Sequence, residues 1–222
     1  MNKFDNIKKI IVNKPLKLDC GVTISNYPLA YETYGNLNQN KDNAIMVFHA
    51  LTGDQFASGK NPVTSKDGWW SYVIGPDKAL DTNKYFIICA NVIGGCMGSY
   101  GPSSVDEKSG KKIGINFPVI TINDMINAQI NLLDHFNIKK LLCVTGGSMG
   151  GMQVLQFVAS YPDKSKIAIP IACSASHSAQ NIAFNELGRQ AIMSDSNWKE
   201  GLYDEKSTNP DKGLAVARMA AH

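Results

Sequence analysis

The amino-acid sequence predicts an α/β protein built on a mostly parallel sheet that is flanked by helices. Short apolar segments such as 44–48 and 85–92 are nearly continuous, which is typical of strands buried on both faces. These segments alternate with stretches of helical periodicity, and parallel strands need such crossover connections. A third observation is the glycine-rich sequence 146–151, which joins a strand-like segment to a helical one.

The predicted elements follow in chain order. Residues 22–24 and 29–34 are expected to form an N-terminal hairpin through a connection at 25–28. An amphipathic helix is expected over 122–136, because its apolar residues recur at helical spacing. These residues are Ile122, Met125, Ile126, Ile130, Leu133 and Phe136. The remaining core elements are strands at 44–48, 85–92, 141–145 and 167–173 and a helix at 152–159.

Two regions are predicted along the chain. Residues 1–176 are expected to form the core with the first six strands of the sheet, and residues 177–222 to begin a helical cap over an active site. The cap region is more polar, with helices expected at 185–193 and 213–221. The last helical pattern stops without glycine or proline, so we expect a truncation inside an element, with the C-terminal strands missing.

Composition excludes several classes of function. The chain of 222 residues is 44% hydrophobic and 18% charged, and no apolar run is long enough to cross a bilayer. The start of the chain lacks a signal-peptide pattern, which predicts a cytoplasmic protein without membrane partners. A net charge of +3 without a basic stripe argues against nucleic-acid binding. The five cysteines lack metal-ligand spacing, so we expect no metal and a reduced environment.

Ser148 is the candidate nucleophile. It is the centre of a G-x-S-x-G sequence that follows a strand and opens a helix, which is the context of a nucleophile elbow. The tight turn forces the serine backbone into a sparsely allowed conformation. Glycine is needed where the neighbouring chain passes close to the turn, which explains Gly146 and Gly150. We therefore expect the Ser148 hydroxyl to stand clear of the sheet at the start of the next helix.

An oxyanion hole is expected from two backbone N–H groups that face the developing negative charge. One is the N–H of Met149, directly after the nucleophile, and the other belongs to the loop after the third strand. In that loop, residues 49–54, Leu51 is the preferred donor and Ala50 remains an alternative.

The base that would activate Ser148 is not evident in the sequence. In folds with this elbow the acid and then the histidine follow the serine along the chain. His177 follows the sixth strand too closely, and His222 ends a helix, so neither is well placed. His135 is expected to be a surface or packing residue, and His49 to hold its loop by hydrogen bonds.

A second glycine-rich sequence, Gly94-Gly95-Cys96-Met97-Gly98, also follows a strand. The next residues include Pro102, and no helix is expected to begin there. Cys96 is therefore predicted to be a loop residue beside the site and not a nucleophile.

These segments together resemble the homoserine O-acetyltransferase family of the α/β-hydrolase fold. The resemblance extends over nearly the whole chain, whereas general esterases share only the elbow. The matching segments are His49-Ala-Leu-Thr-Gly-Asp54, Gly68-Trp69-Trp70, Ile74-Gly75-Pro76, Lys78-Ala-Leu-Asp-Thr-Asn83, Asn91-Val-Ile-Gly-Gly-Cys-Met-Gly98, Gly101-Pro-Ser-Ser104, Phe117-Pro-Val-Ile-Thr-Ile-Asn-Asp124, residues 146–153 and Leu214-Ala-Val-Ala-Arg-Met219.

The resemblance implies acetyl transfer from acetyl-CoA to the hydroxyl of L-homoserine through an acyl-serine intermediate at Ser148, a step in methionine biosynthesis. It implies acetyl-CoA as a co-substrate with no further cofactor, and a homodimer at full length. Arg218 would pair with the homoserine carboxylate, with Arg189 as a weaker candidate. Members of the family run beyond residue 222, and their triad acid and base lie in that part.

Other functions remain open at this point. A homoserine O-succinyltransferase or a serine O-acyltransferase would use the same scaffold with another donor or acceptor. A serine esterase would transfer the acyl group to water. An inactive fragment that needs its C-terminal part is the third alternative.

Overall fold

A computed structural model describes residues 6–106, 109–203 and 208–221, and its central element is a six-stranded sheet. The strands of this sheet are β1 (Lys9–Val12), β4 (Tyr27–Tyr34), β5 (Ala44–Phe48), β8 (Phe86–Ala90), β9 (Leu141–Gly147) and β10 (Ser165–Ile171), with the short strands β2 (Leu16–Lys17), β3 (Thr23–Ile24), β6 (Ile74–Gly75) and β7 (Leu80–Asp81) outside it. The spatial order is β1-β4-β8-β5-β9-β10. β8, β5, β9 and β10 are parallel, and β1 and β4 are antiparallel to their neighbours. The predicted mostly parallel sheet is confirmed.

The central strands are buried on both faces, as their continuous apolar sequences predict. Every residue of β5 is buried, and alternate residues enter two different clusters. Met46 and Phe48 pack with the helices on one face, whereas Ile45 and Val47 pack on the other with Trp69 and nearby residues. Period-two alternation places successive side chains on opposite faces, so a sheet covered on both sides needs apolar residues at every position.

The helix predicted for 122–136 forms but is interrupted. It consists of α1 (Ile122–Gln129) and α2 (Asn131–His135), with Ile130 between them. The Asn131 side-chain amide donates hydrogen bonds to the carbonyls of Asn127 and Ala128, at 3.2 and 2.9 Å. Because these carbonyls are ones that the helical backbone normally uses, the side chain competes with the helix at this point.

The predicted N-terminal hairpin is wrong. β3 pairs with β2, and β4 pairs with β1 on one side and β8 on the other. The turn consists only of Ser25 and Asn26, and Asn26 has a φ of 52°. Tyr27 is 1% exposed and already belongs to β4, so the Tyr-Pro pair that resembled a turn is strand. The four-residue β1 was not predicted.

The remaining helices are α3 (Met149–Ser160), α4 (Ala179–Met193) and α5 (Asp211–Ala220). The first and the last begin within three residues of their predicted starts, whereas the middle one begins six residues earlier than predicted, where the Ser178 hydroxyl accepts the N–H of Asn181 and caps it. β10 is at one edge of the sheet, and its isoleucines remain partly exposed: Ile167 by 49%, Ile169 by 48% and Ile171 by 41%.

The chain divides into two compact units. The first consists of Met1–Gly101 and Pro118–Cys173, and it contains the sheet with α1, α2 and α3. The second consists of Pro102–Phe117 and Ser174–His222, and it contains α4 and α5. Within the second unit the two helices approach closely, since a Cβ on Gly188 would lie 3.6 Å from that of Ala217. That residues 177–222 cap an active site stays a prediction.

Candidate active site

Ser148 occupies the turn between β9 and α3. β9 ends at Gly147 and α3 begins at Met149, which leaves Ser148 as the single connecting residue. Its backbone has φ 57° and ψ −122°, a conformation that costs a residue with a side chain on the order of 1–3 kcal/mol. The Ser148 N–H donates to the carbonyl of Ile171 on β10, at 3.0 Å, which helps to hold the turn. The serine is exposed, and its side chain forms no capping hydrogen bond with α3.

The glycines on either side of Ser148 are required by contact with β5. A Cβ on Gly146 would lie 2.6 Å from the carbonyl oxygen of Phe48, and a Cβ on Gly150 would overlap the same oxygen. By contrast, a Cβ on Gly147 would meet no atom within 4 Å. The close approach predicted from the sequence therefore applies to Gly146 and Gly150, and it brings the end of β5 against the first turn of α3.

The loop that follows β5 carries the second candidate oxyanion donor. A Cβ on Gly150 would lie 3.3 Å from the carbonyl carbon of His49, so the loop begins beside the elbow. Among the described residues, the N–H groups of Met149, Leu51 and Ala50 have no hydrogen-bond acceptor. The Leu51 side chain is 72% exposed. Both loop residues named from the sequence thus remain available as donors.

His49 holds this loop, as predicted. Its ring is buried, with Nδ1 2.8 Å from the carbonyl oxygen of Ala50. Its Nε2 accepts a hydrogen bond from the N–H of Val92 at 3.1 Å. Because Nε2 is an acceptor, Nδ1 carries the proton and donates to Ala50, which makes the imidazole neutral. Burial lowers the pKa of His49 below its ordinary value.

The far end of the loop is fixed by Asp54. One carboxylate oxygen accepts the N–H of Phe56 at 2.8 Å, and the other accepts the amide of Asn61 at 2.9 Å. The indole N–H of Trp69 donates to the Asp54 carbonyl at 2.9 Å. Asp54 and Trp69 thus shape the loop through hydrogen bonds.

The second glycine-rich sequence forms a loop, as predicted, and opens no helix. Asn91 organises it, since its side-chain oxygen accepts the N–H of Met97 at 3.1 Å and its backbone carbonyl accepts the Ser99 hydroxyl at 2.6 Å. Cys96 is exposed on this loop.

Sequence reasoning missed Gln153, which is fully buried one turn into α3. Its amide lies between the carbonyls of His49 and Met149 and the side chain of Gln129. A glutamine within an otherwise apolar helix face is the signal that could have found it, because a buried amide needs hydrogen-bond partners.

The other residues named from the sequence lie away from the elbow or in the second unit. His135 is exposed on α2 with Nε2 3.3 Å from the Tyr31 hydroxyl, which fits a surface role. Arg218 is exposed on α5, and Arg189 on α4 forms an ion pair with Glu186. His177 is exposed in the second unit, and His222 lies outside the described residues.

Within the described ranges, no cluster of three or more histidine, cysteine, aspartate or glutamate side chains is arranged to hold a metal ion. No helix of these ranges is both long enough and apolar enough to cross a lipid bilayer.

Comparison with known proteins gives one family match and several similar proteins. A family described as alpha/beta hydrolase fold matches residues 43–222. A homoserine O-acetyltransferase from Pelagibacter ubique is 72% identical over 222 residues, which is 100% of this chain and 60% of that protein. The chain therefore spans little more than half the length of such relatives.

Solved structures agree with this match. The crystal structure of a homoserine O-acetyltransferase from Bacillus anthracis has a TM-score of 0.87 at 32% identity, covering 96% of this chain and 58% of that one. An acetylester hydrolase from Corynebacterium glutamicum has a TM-score of 0.81 at 31% identity, covering 96% of this chain and 57% of that one.

Proposed function

Because the chain belongs to the α/β-hydrolase fold family, we propose that it is the nucleophile-bearing part of a homoserine O-acetyltransferase with Ser148 as the acyl-accepting residue. The observation that carries this proposal is Ser148 itself, which is exposed in a strained turn at the start of α3. Its glycine neighbours and the adjoining loop supply the surroundings that acyl transfer needs. The 72% identity to a homoserine O-acetyltransferase supports the choice of acceptor and donor.

The proposed reaction has two half-reactions. In the first, the Ser148 oxygen attacks the carbonyl carbon of acetyl-CoA, the C–S bond breaks, and the CoA thiol leaves with a proton. The negative charge that develops on the carbonyl oxygen is stabilised by the N–H of Met149 and by that of Leu51, or of Ala50. In the second, the homoserine hydroxyl attacks the acetyl-serine, which releases O-acetylhomoserine and restores Ser148.

A base must remove the serine proton, and His49 is not suited to do so. Its Nε2 accepts the Val92 N–H and its Nδ1–H donates to Ala50, so neither nitrogen has a free lone pair for Ser148. The resemblance implies that the acid and the base of the triad lie beyond residue 222, and that assignment is part of the proposal.

Arg218 is proposed to bind the homoserine carboxylate. Its guanidinium forms no ion pair within the described part of the chain, whereas that of Arg189 is engaged by Glu186. A planar guanidinium can bind a carboxylate through two parallel hydrogen bonds. The proposal also includes acetyl-CoA as the co-substrate without a further cofactor, a place in methionine biosynthesis, a cytoplasmic location and a homodimer.

The test uses a full-length chimera, in which this chain replaces the matched part of the Pelagibacter ubique relative and that relative supplies the rest. The chimera is incubated with acetyl-CoA, and release of free thiol is followed with homoserine, with serine and without an acceptor. Thiol release that depends on homoserine supports the proposal. Succinyl-CoA in place of acetyl-CoA tests the alternative donor.

A second candidate function is hydrolysis of acetyl esters, which the structural likeness to an acetylester hydrolase favours. In that case water would attack the acetyl-serine. Thiol release at the same rate with and without homoserine, and acetate as the product, would favour the hydrolase.

A further inference from the structure

We infer that Gln153 is a positioning residue, which aligns the loop half of the oxyanion hole with the start of α3 for the acyl transfer proposed above, on which this inference rests. The oxyanion loop is defined here as residues 49–54. Gln153 belongs to α3, on the helix that begins directly after Ser148. It contacts the loop through His49 and the helix start through Met149.

The orientation of the Gln153 amide is determined by its neighbours. Its nitrogen lies 3.2 Å from the carbonyl oxygen of His49 and 3.5 Å from that of Met149. Carbonyl oxygens only accept hydrogen bonds, so the NH₂ group must face them. The Gln153 oxygen then faces the Gln129 amide, which donates at 2.8 Å. The two glutamines and His49 are at most 1% exposed, so water does not compete for these bonds.

The bond to His49 fixes the direction of a candidate oxyanion donor. The carbonyl of His49 and the N–H of Ala50 belong to one planar trans peptide and point in opposite directions. A hydrogen bond that holds the carbonyl towards Gln153 therefore also holds the Ala50 N–H away from it. Gln153 thereby controls the first peptide of the oxyanion loop.

The next peptide is held in the same way by other groups. The carbonyl of Ala50 accepts hydrogen bonds from the His49 ring at 2.8 Å and from the Gly53 N–H at 2.9 Å. Because this carbonyl shares a peptide plane with the Leu51 N–H, that donor is fixed as well. The loop thus has two consecutive fixed peptides, and Gln153 ties the first of them to the first turn of α3 through the carbonyl of Met149.

This arrangement gives Gln153 a role that a space-filling core residue would not have. An apolar side chain of similar size could fill the space between α1, α3 and the loop, but it would leave the His49 carbonyl without its donor. The first peptide could then rotate, and a small displacement of an oxyanion donor weakens stabilisation of the transition state more than it weakens substrate binding.

The experiment compares Gln153→Met with Gln156→Met in the full-length chimera. Methionine has a similar length and no hydrogen-bond donor. Gln156 lies on the same helix, but its amide donates to Ser160 at 2.9 Å and to Asn123 at 3.4 Å, away from the loop. The first measurement is the single-turnover rate of Ser148 acetylation against acetyl-CoA concentration. The second is the infrared carbonyl stretch of the isotopically labelled acetyl-enzyme.

Gln153→Met is expected to slow acetylation about tenfold to a hundredfold, with the acetyl-CoA concentration at half-maximal rate unchanged. The acetyl carbonyl stretch should move to higher frequency, because weaker hydrogen bonds to the oxygen leave a stronger C=O bond. Gln156→Met should keep the unsubstituted rate and frequency.

Two outcomes separate this inference from the proposed function. If the unsubstituted chimera forms no acetyl-enzyme at Ser148, the proposed function fails. If it does, and Gln153→Met keeps the unsubstituted rate and carbonyl frequency, the positioning role is overturned.

Should Gln153→Met not fold, Gln129→Met removes the donor that orients Gln153 while leaving Gln153 in place. A smaller change in the same direction then supports the role, and no change overturns it.

Discussion

Gly150 on α3 lies directly against the carbonyl oxygen of Phe48, the last residue of β5, so closely that a Cβ at this position would overlap that oxygen. The contact joins the nucleophile turn to the strand that leads into the oxyanion loop. A side chain at position 150 would therefore push against the end of β5 and displace the loop that follows it.

Gly150→Ala is therefore expected to destabilise the protein and to displace the oxyanion loop. Alanine favours a helix over glycine by about 1 kcal/mol, but the clash with Phe48 involves backbone that cannot move easily. We expect a net loss of about 1–3 kcal/mol in the free energy of unfolding, together with slower acetylation. Urea unfolding and the acetylation rate of the full-length chimera measure these effects.

The matched control is Gly147→Ala, on the other side of Ser148, where an added Cβ meets no atom within 4 Å. It should change neither the unfolding midpoint nor the acetylation rate appreciably. Equal effects of the two substitutions would show that the turn needs glycine at both positions for its backbone conformation, and not because of the contact with Phe48.

The neutral state of His49 predicts a pH dependence of stability. Its folded pKa lies below the ordinary value of 6.5, with burial as the main cause. Between these two pKa values the unfolded chain binds more protons, so this contribution to stability is present above about pH 6.5 and is lost as the pH falls towards the folded pKa. The slope can reach about 1.4 kcal/mol per pH unit.

His49→Gln removes this titration, and the difference in unfolding free energy between the unsubstituted protein and the variant should shrink from pH 7.5 to pH 5. A constant difference for His49→Gln across this range would mean that folding does not lower the pKa of His49 below its ordinary value.

Arg218→Ala in the full-length chimera is expected to impair use of homoserine and to spare acetylation. Loss of one charge-assisted contact is worth roughly 1.5–3 kcal/mol, so KM for homoserine should rise about tenfold to a hundredfold. The two half-reactions are measured separately, acetylation by single turnover and deacylation by mixing the acetyl-enzyme with homoserine.

Arg189→Ala is the comparison, because the Arg189 guanidinium is already paired with Glu186. It should leave both half-reactions near their unsubstituted rates. Equal damage to both half-reactions by Arg218→Ala would argue against a role in acceptor binding, and a larger effect of Arg189→Ala would transfer that role to Arg189.

The 222-residue chain alone is expected to be nearly inactive with acetyl-CoA and homoserine. Both ring nitrogens of His49 are engaged, and His135 is beside Tyr31, so neither is placed to activate the serine. Loss of triad members typically leaves a residual acceleration of about 10³–10⁴ over water. Thiol release by the chain and by the chimera, at equal concentration, tests this. Turnover on the order of 10 per second by the chain alone would mean that it contains a base, and His177 and His222 would be substituted first.

The sequence was sufficient to predict an element where one physical signal dominated. Continuous apolar runs predicted β5 and β8, and the glycines around Ser148 predicted a turn that the contacts with Phe48 explain. It was insufficient where long-range pairing decided the outcome. β4 begins at Tyr27 because that side chain is buried in the core and β1 pairs alongside, and neither fact is visible in the local Tyr-Pro pattern.

The interruption at Ile130 and the role of Gln153 were missed for a related reason. In the sequence Asn131 is an ordinary helix residue, and only the structure shows that its amide donates hydrogen bonds to the carbonyls of Asn127 and Ala128. In the sequence Gln153 is one polar residue in an apolar helix, and only the structure shows that its amide donates to the His49 carbonyl in the loop. Hydrogen-bond partners that are distant in the sequence are supplied only by the fold.

Identifying the residue that carries the acetyl group tests the role of Ser148 most directly. The full-length chimera is mixed with acetyl-CoA in the absence of homoserine, quenched in acid, digested and analysed by peptide mass spectrometry. We predict a mass increase of one acetyl group on Ser148, its loss when homoserine is added before the quench, and no acetylated peptide in Ser148→Ala. An acetyl-enzyme that still forms in Ser148→Ala, with the mass increase on another residue such as Cys96, would show that Ser148 is not the nucleophile.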